Sequence, residues 1–547
     1  MTIRRFVVLF ASFSLLGAVA LSFSHGAGAA DDGNALLAKH RAFVGWQFDD
    51  GTLTSWRSTM KWKARATPAP SETPDPDATP TPAFVINSVR RGALYHETHM
   101  RENGPYSGDE GFTGRVFWRA NENGFVVTVL EDAVRQAISL NAIEDEAVSK
   151  LPGTMHGSAK VGDTDVQIVR VQPSPGFPVD LYVDSEGAYR RAVVSPDDAE
   201  YRITIDIDKY IDALPGKKVV GQYHYGRAGS YIVDKFEANV PISDQDLVPP
   251  KPRATWTFGP PEPFPIELHR YTAIYGNSGA SAVQVHASVN GHDGTFILDS
   301  GSSGILLFGG FARNLNLEKL GASASSGVNG NLIRTDMVRI DSLALGPNVL
   351  HNVIAAQSRG SSFPGEDGLI GFDVLARAIV DVDLDALRMT IFDPAKYATS
   401  LKKGAAAIPI DLTDFVPQMH ITVGNGIDVF TIIDTGNSLE VLLSEAFRSS
   451  GKVVGLVPRI EFGGGVSADD TEYLGGVDGS SPYPVPCTRL NHMSVGPYPY
   501  ENGRVCFGPV RAFGQKGGLL GIDFLKHFNW TFDYPDGKLI LTPNGIK

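Results

Sequence analysis

Two short stretches carry the residues best suited to chemistry. Phe296-Ile297-Leu298-Asp299-Ser300-Gly301-Ser302-Ser303 and Thr431-Ile432-Ile433-Asp434-Thr435-Gly436-Asn437-Ser438 each run from apolar residues into Asp-Ser/Thr-Gly, with a serine two positions after the glycine. Each therefore offers a carboxylate with a hydroxyl beside it. Two carboxylates brought together cannot both ionise cheaply, so they share a proton and can serve as base and acid on one water. A single Asp-Thr-Gly is also an ordinary strand-to-turn sequence, and one copy alone would say little.

The elements that must position these acids are legible in the flanks. Each apolar run reads as a buried strand ending at a turn signal, and the glycine allows a tight turn just after the acid. A second signature follows each copy: Gly368-Leu369-Ile370-Gly371-Phe372-Asp373-Val374-Leu375 and Gly518-Leu519-Leu520-Gly521-Ile522-Asp523-Phe524-Leu525. Without a gap, Asp383 then matches Asp533, Arg388 matches Lys538 and Ile391 matches Leu541. The period of about 140 residues is too long for a solenoid unit and predicts two homologous lobes.

Asp-Thr/Ser-Gly followed by apolar-apolar-Gly resembles the signature of aspartic peptidases. Val289-Asn290-Gly291 through Asp299-Ser300-Gly301, with Gly368-Leu369-Ile370-Gly371, is most similar to the bacterial retropepsin-like branch. There each lobe usually comes from a separate subunit. Here both lie in one chain, as in pepsin-like enzymes. The resemblance spans residues 266 to 545 and implies a mainly β architecture, a bilobal acid-protease β-barrel fold. It also implies peptide hydrolysis by a water held between Asp299 and Asp434, without metal or cofactor. Ser300 and Thr435 would bond across to the opposite loop, with Gly301 and Gly436 completing the turns. Ser303 and Ser438 would donate to the outer carboxylate oxygens. Gly-rich hairpin tips at 327–331 and 462–466, centred on Gly330 and Gly464, are the flap candidates. The first lobe lacks the flap tyrosine of pepsin-like enzymes, and Asn437 departs from the usual Ala, Ser or Thr. Asp373 and Asp523 read as surface or helix-start acids.

The rest of the chain fits an exported protein. Arg4 and Arg5, the apolar run Phe6 to Leu21 and the small residues Ala27-Gly28-Ala29-Ala30 predict a signal peptide over residues 1–30. No later stretch reaches the roughly 20 apolar residues of a membrane span. The formal net charge of −13 argues against nucleic-acid binding. The two cysteines, Cys487 and Cys506, suggest one disulfide in an oxidising compartment, with a free pair as the alternative. A soluble periplasmic or secreted monomer is expected.

Residues 31–247 predict an α+β region with an antiparallel, half-barrel-like sheet. Helical patterns lie at Ala35–His40 and Glu131–Leu140. Alternating strands lie at Ala83–Val89, Arg115–Ala120, Asp165–Val171, Arg202–Ile207 and Lys218–Tyr225. A Pro-rich loop, 66–82, interrupts it. The opening Ala35-Leu36-Leu37-Ala38-Lys39-His40, the stretch Gly111 to Trp118 and Asp180-Leu181-Tyr182-Val183-Asp184 resemble LolA-like envelope domains. That resemblance implies a concave surface for an apolar ligand or an extended peptide. His96-Glu97-Thr98-His99 does not have the His-Glu-x-x-His spacing, and no metal is expected there. Prolines from Pro249 to Pro265 mark 248–265 as a stiff spacer, leaving 266–395 and 405–547 as the two lobes. The leading expectation is an exported aspartic endopeptidase. The alternative is a non-catalytic envelope protein that binds lipid or peptide on the same scaffold, and a third reading is a peptidase held latent by its N-terminal region.

Overall fold

The computed structural model describes residues 27–546 except 65–83, 102–105, 130, 198–201, 226–228, 272–279, 329–331, 359–364, 425, 445–470, 475–482, 509 and 511–516. The Pro-rich loop, residues 329–331 and 462–466 of the flap candidates and all but the last few residues of the expected signal peptide lie outside the described residues.

The protein is mainly β. Thirteen strands between Ser55 and Ala238 form one sheet. From Ser55–Ala64, successive antiparallel hairpins lead to Val126–Thr128 at one edge. Ser55–Ala64 also pairs with Gly229–Ala238, from which the order descends to Thr154–Val161 at the other edge. Inward positions alternate as a one-faced sheet requires. Val169, Val171, Val179, Leu181 and Val183 face Leu36 and Leu37 of the helix Ala27–Val44, and Ala142 and Ile143 of the helix Glu131–Glu144. Gly45 ends the first helix at φ 78°, its N–H donating to Arg41 O at 2.8 Å. That left-handed stop favours glycine, and any Cβ there would strike Gly216 O.

The sheets that follow repeat one arrangement. His292–Leu298 runs parallel to Gly368–Ile370. Ile305–Leu307 lies antiparallel to Gly368–Ile370 and parallel to Asn348–Ser358. In the second copy, Ile427–Asp434 runs parallel to Gly518–Gly521. Val441–Ser444 lies antiparallel to Gly518–Gly521 and parallel to Gly503–Gly508. Parallel strands buried on both faces need near-continuous apolar sequence, which is why both runs before the acids carry no polar alternation. The halves are joined by Ile379–Asp383 pairing antiparallel with Phe528–Asp533. One large cluster of buried side chains, including Phe296, Leu298, Val380, Ile433 and Trp530, spans both.

The proline-rich segment is extended but is not a free spacer. Thr255–Thr257 pairs with Asn348–Ser358, and Phe264–Tyr271 pairs with Arg388–Phe392. Ala254 is buried in the shared core. Pro265 pairs with Arg388 and lies just before the run paired with Ala280–Val289, which begins at Ile266, so its missing N–H takes nothing from that ladder. Cys487 and Cys506 sit directly opposite each other on paired strands and form a disulfide.

Candidate active site

Asp299 follows directly on the strand His292–Leu298, and Asp434 closes the strand Ile427–Asp434. The two loops meet so closely that each glycine is required by the opposite acid. A Cβ on Gly301 would lie 2.5 Å from Asp434 Cγ, and one on Gly436 would lie 2.6 Å from Asp299 Cγ. Neither glycine has positive φ, so close approach and not backbone conformation explains the residue type.

The hydroxyls beside the acids lock the loops reciprocally. Ser300 Oγ donates to Ile433 O at 2.7 Å, and Thr435 Oγ1 donates to Leu298 O at 2.7 Å. Each hydroxyl also accepts the other's backbone N–H, Ser300 N–H to Thr435 Oγ1 at 2.9 Å and Thr435 N–H to Ser300 Oγ at 3.1 Å. Both residues are fully buried. All four bonds cross between the halves, so the clamp fixes the separation of the acids.

The carboxylates rest on backbone donors. Gly436 N–H donates to Asp434 Oδ1 at 3.0 Å, with Asn437 N–H beside it. Gly301 and Ser302 N–H groups serve Asp299. These donors favour ionisation, but loss of water outweighs them. Burial first, then the neighbouring Asp434 charge and the bond to it, push Asp299 well above the usual carboxylate range. Burial also raises Asp434, to about 6, against the lowering effect of its bond with Asp299. The site can therefore hold one proton between two acids.

Ser303 is exposed and Ser438 half-buried, two residues beyond the glycines. The strands Glu318–Ser326 and Leu332–Leu345 form a hairpin whose tip, with Gly330, lies outside the described residues. At its near end Val328 packs on the apolar cluster containing Ile432, Leu439 and Leu519 of the second half. Gly464 also lies outside the described residues.

Three features were not legible in the sequence. Tyr534 is buried, its phenol raised well above its usual range by burial and then by the Asp299 charge. Asp373, expected as a surface or helix-start acid, opens the short helix Phe372–Leu375 but is fully buried. The correction has a structural cause, since the first sheet covers it: Asn121 Nδ2 donates to Asp373 Oδ1 at 2.8 Å. Arg101 Nη1, from the same sheet, donates to Ala322 O on the hairpin at 2.9 Å.

Glu97, His99 and Glu110 are close enough together to hold a metal ion. Glu97 and His99 share a strand face and Glu110 lies directly across from Glu97. Arg119 Nε lies 3.4 Å from Glu110 and supplies a positive charge. His96 is engaged elsewhere, 3.3 Å from Asp109 and 2.9 Å from Asp246 O.

The aspartyl protease family model matches residues 285–374, a segment that holds Asp299 and ends just beyond Gly371. Among solved structures the chain is similar to a DUF1329 family protein from Desulfovibrio piger (12% identity, TM-score 0.27). It is also similar to a putative outer membrane lipoprotein-sorting protein domain from Vibrio parahaemolyticus (10%, 0.28) and a LolA superfamily protein from Nitrosomonas europaea (10%, 0.29). Each match covers 40% of this chain and 97% of the other. No curated protein matches.

Proposed function

We propose that this chain is an exported aspartic endopeptidase in which Asp299 and Asp434 share one proton. The observation that carries the reading is the reciprocal clamp of Ser300 and Thr435, which joins two carboxylates from duplicated strand ends. A scaffold that only bound ligands would have no need to bury two acids against each other at the cost of their ionisation. The aspartyl protease match over the first strand end supports the same reading.

In this reading residues 266–395 and 405–547 are the two lobes. Asp434, the acid less raised, is the general base and takes a proton from a water lying between the carboxyls. Asp299 keeps its proton and donates it toward the scissile carbonyl. The water oxygen bonds to the carbonyl carbon, the C–N bond then breaks, and the leaving nitrogen receives a proton from the pair. No covalent enzyme intermediate forms. Ser303 and Ser438 steady the outer carboxylate oxygens. An extended peptide lies under the hairpin built on Glu318–Ser326 and Leu332–Leu345.

The test is cleavage of a mixed peptide library by the mature protein, with Asp299→Asn and Asp434→Asn in parallel. Each variant is expected to lose at least about 100- to 10,000-fold in rate, the usual worth of a positioned acid or base. Full activity in either variant, or none in the wild type, would overturn the peptidase reading and return the cleft to a binding role.

A further inference from the structure

The duplication exposes an asymmetry behind the two acids. In the second half, Asp523 is partly exposed and pairs with Lys526, three residues on, at 2.9 Å. The matching pair in the first half is Asp373 and Ala376, so the cation is missing from that position. Asp373 is nevertheless fully buried. The Nδ2 of Asn121, in the turn that follows the strand Phe117–Ala120, donates to it at 2.8 Å, and Asn123 and the backbone of Ile305 also bond to it.

Asn121 is held in place from several sides. Its Oδ1 accepts the N–H groups of Asn123 and Phe125 at 3.0 and 3.1 Å, and its carbonyl accepts Gly124 N–H at 2.8 Å. Asn123 bonds both ways with the backbone of Ile354, donating at 2.9 Å and accepting at 2.8 Å. Phe125 is buried in the core cluster shared by the two halves. The turn is therefore anchored within the first lobe.

Asp373 carries this placement toward the candidate dyad. Its Oδ2 lies against Gly304, where an added Cβ would be 3.0 Å away. Gly304 belongs to the loop that leaves Asp299, where Ser302 N–H donates to Asp299 O at 3.1 Å and Ser302 O accepts Phe372 N–H at 3.0 Å.

We propose that Asn121 is a positioning residue for Asp299, acting through Asp373 and the loop 300–304, so that the N-terminal sheet is a working part of the active centre. The inference deepens the peptidase reading and rests on it only for its kinetic readout. It also opposes simple latency, since the N-terminal region then supports the first acid.

The test uses the full chain. Asn121→Leu removes the donor to Asp373 at every pH; it also removes the oxygen that closes the turn, a loss the second route below separates from the missing donor. Hydrogen exchange is followed over residues 299–308 and, as an internal control, over 434–441. Near neutral pH the variant is expected to lose about tenfold or more protection over 299–308, with 434–441 unchanged. Glu122 and Arg101 also act on this junction, so each comparison is made against wild type at the same pH.

Kinetically, kcat is expected to fall about 10- to 100-fold at neutral pH with KM little changed, the signature of a misplaced group. As a second route, Ala376→Lys in an Asn121→Ala background gives Asp373 the partner that Asp523 has, and is expected to restore protection. Unchanged exchange over 299–308, or an equal rise in both loops, would overturn the inference. A wild type that cleaves nothing would remove the peptidase reading, while the exchange data would still decide the role of Asn121.

Discussion

At the scale of single residues, the duplicated acids dictate a pH profile. In the proposed mechanism only the singly ionised pair has both a base and an acid, so the activity it describes needs one proton on the pair, no more and no fewer. Burial raises both carboxyls, Asp434 to about 6 and Asp299 well beyond the usual range. As pH falls through about 6 the base is lost. As pH rises the acid persists well past the point where an isolated Asp would be ionised. The expected profile of kcat/KM rises through about pH 6 and holds at neutral pH. An acid limb in the ordinary carboxylate range, near pH 4, would show that the acids are better hydrated than this arrangement allows.

At the scale of elements, what could be read from sequence depended on whether a residue's partner was nearby in the chain. Helices at Ala27–Val44 and Glu131–Glu144 follow from local patterning, and the expected stretches Ala35–His40 and Glu131–Leu140 fall inside them. The apolar runs before Asp299 and Asp434 were legible as buried strands because a strand covered on both faces cannot alternate. Of Leu94–Arg101 and Tyr106–Phe112, only the strand-like alternation of His96-Glu97-Thr98-His99 was legible. Both strands are rich in polar residues such as Glu97, His99, Asp109 and Glu110, whose contacts lie on other strands and loops. Asn121 and Asp373 were illegible for the same reason, being 252 positions apart. The disulfide was legible because two cysteines in one chain leave few options. It closes a loop with a sequence separation of 19 residues, so replacing both cysteines by serine should cost about 3 kcal/mol of unfolding free energy. Urea denaturation of the second-half strands would measure it, and an unchanged midpoint would mean that the strand pairing around Cys487 and Cys506 already suffices.

At the scale of the whole molecule, the junction between the N-terminal sheet and the following halves is core and not surface. Phe125 and Val127 belong to the same buried cluster as Phe296, Ile433 and Trp530, which ties the parts into one cooperative structure. The junction also buries acids. Asp373 is pushed up to about 8, by burial first and then by the charge of Glu122. In the unfolded chain that carboxyl ionises near its ordinary value of about 4. The folded protein therefore holds a proton that the unfolded one releases, and this favours folding less and less as pH rises. The contribution is fully present below about pH 4 and is lost as pH rises through about 8. Asp145, buried beside the N-terminal sheet and raised to about 6, adds to the same trend. Asp373→Asn keeps the shape and removes only the junction's share. Thermal unfolding from pH 5 to 8.5 should show the wild-type Tm falling more steeply than that of the variant, in a single transition. Parallel slopes would mean that Asp373 is ionised in the folded protein and that the junction is wetter than its packing implies. Two separate transitions would mean that Phe125 and Val127 do not couple the parts.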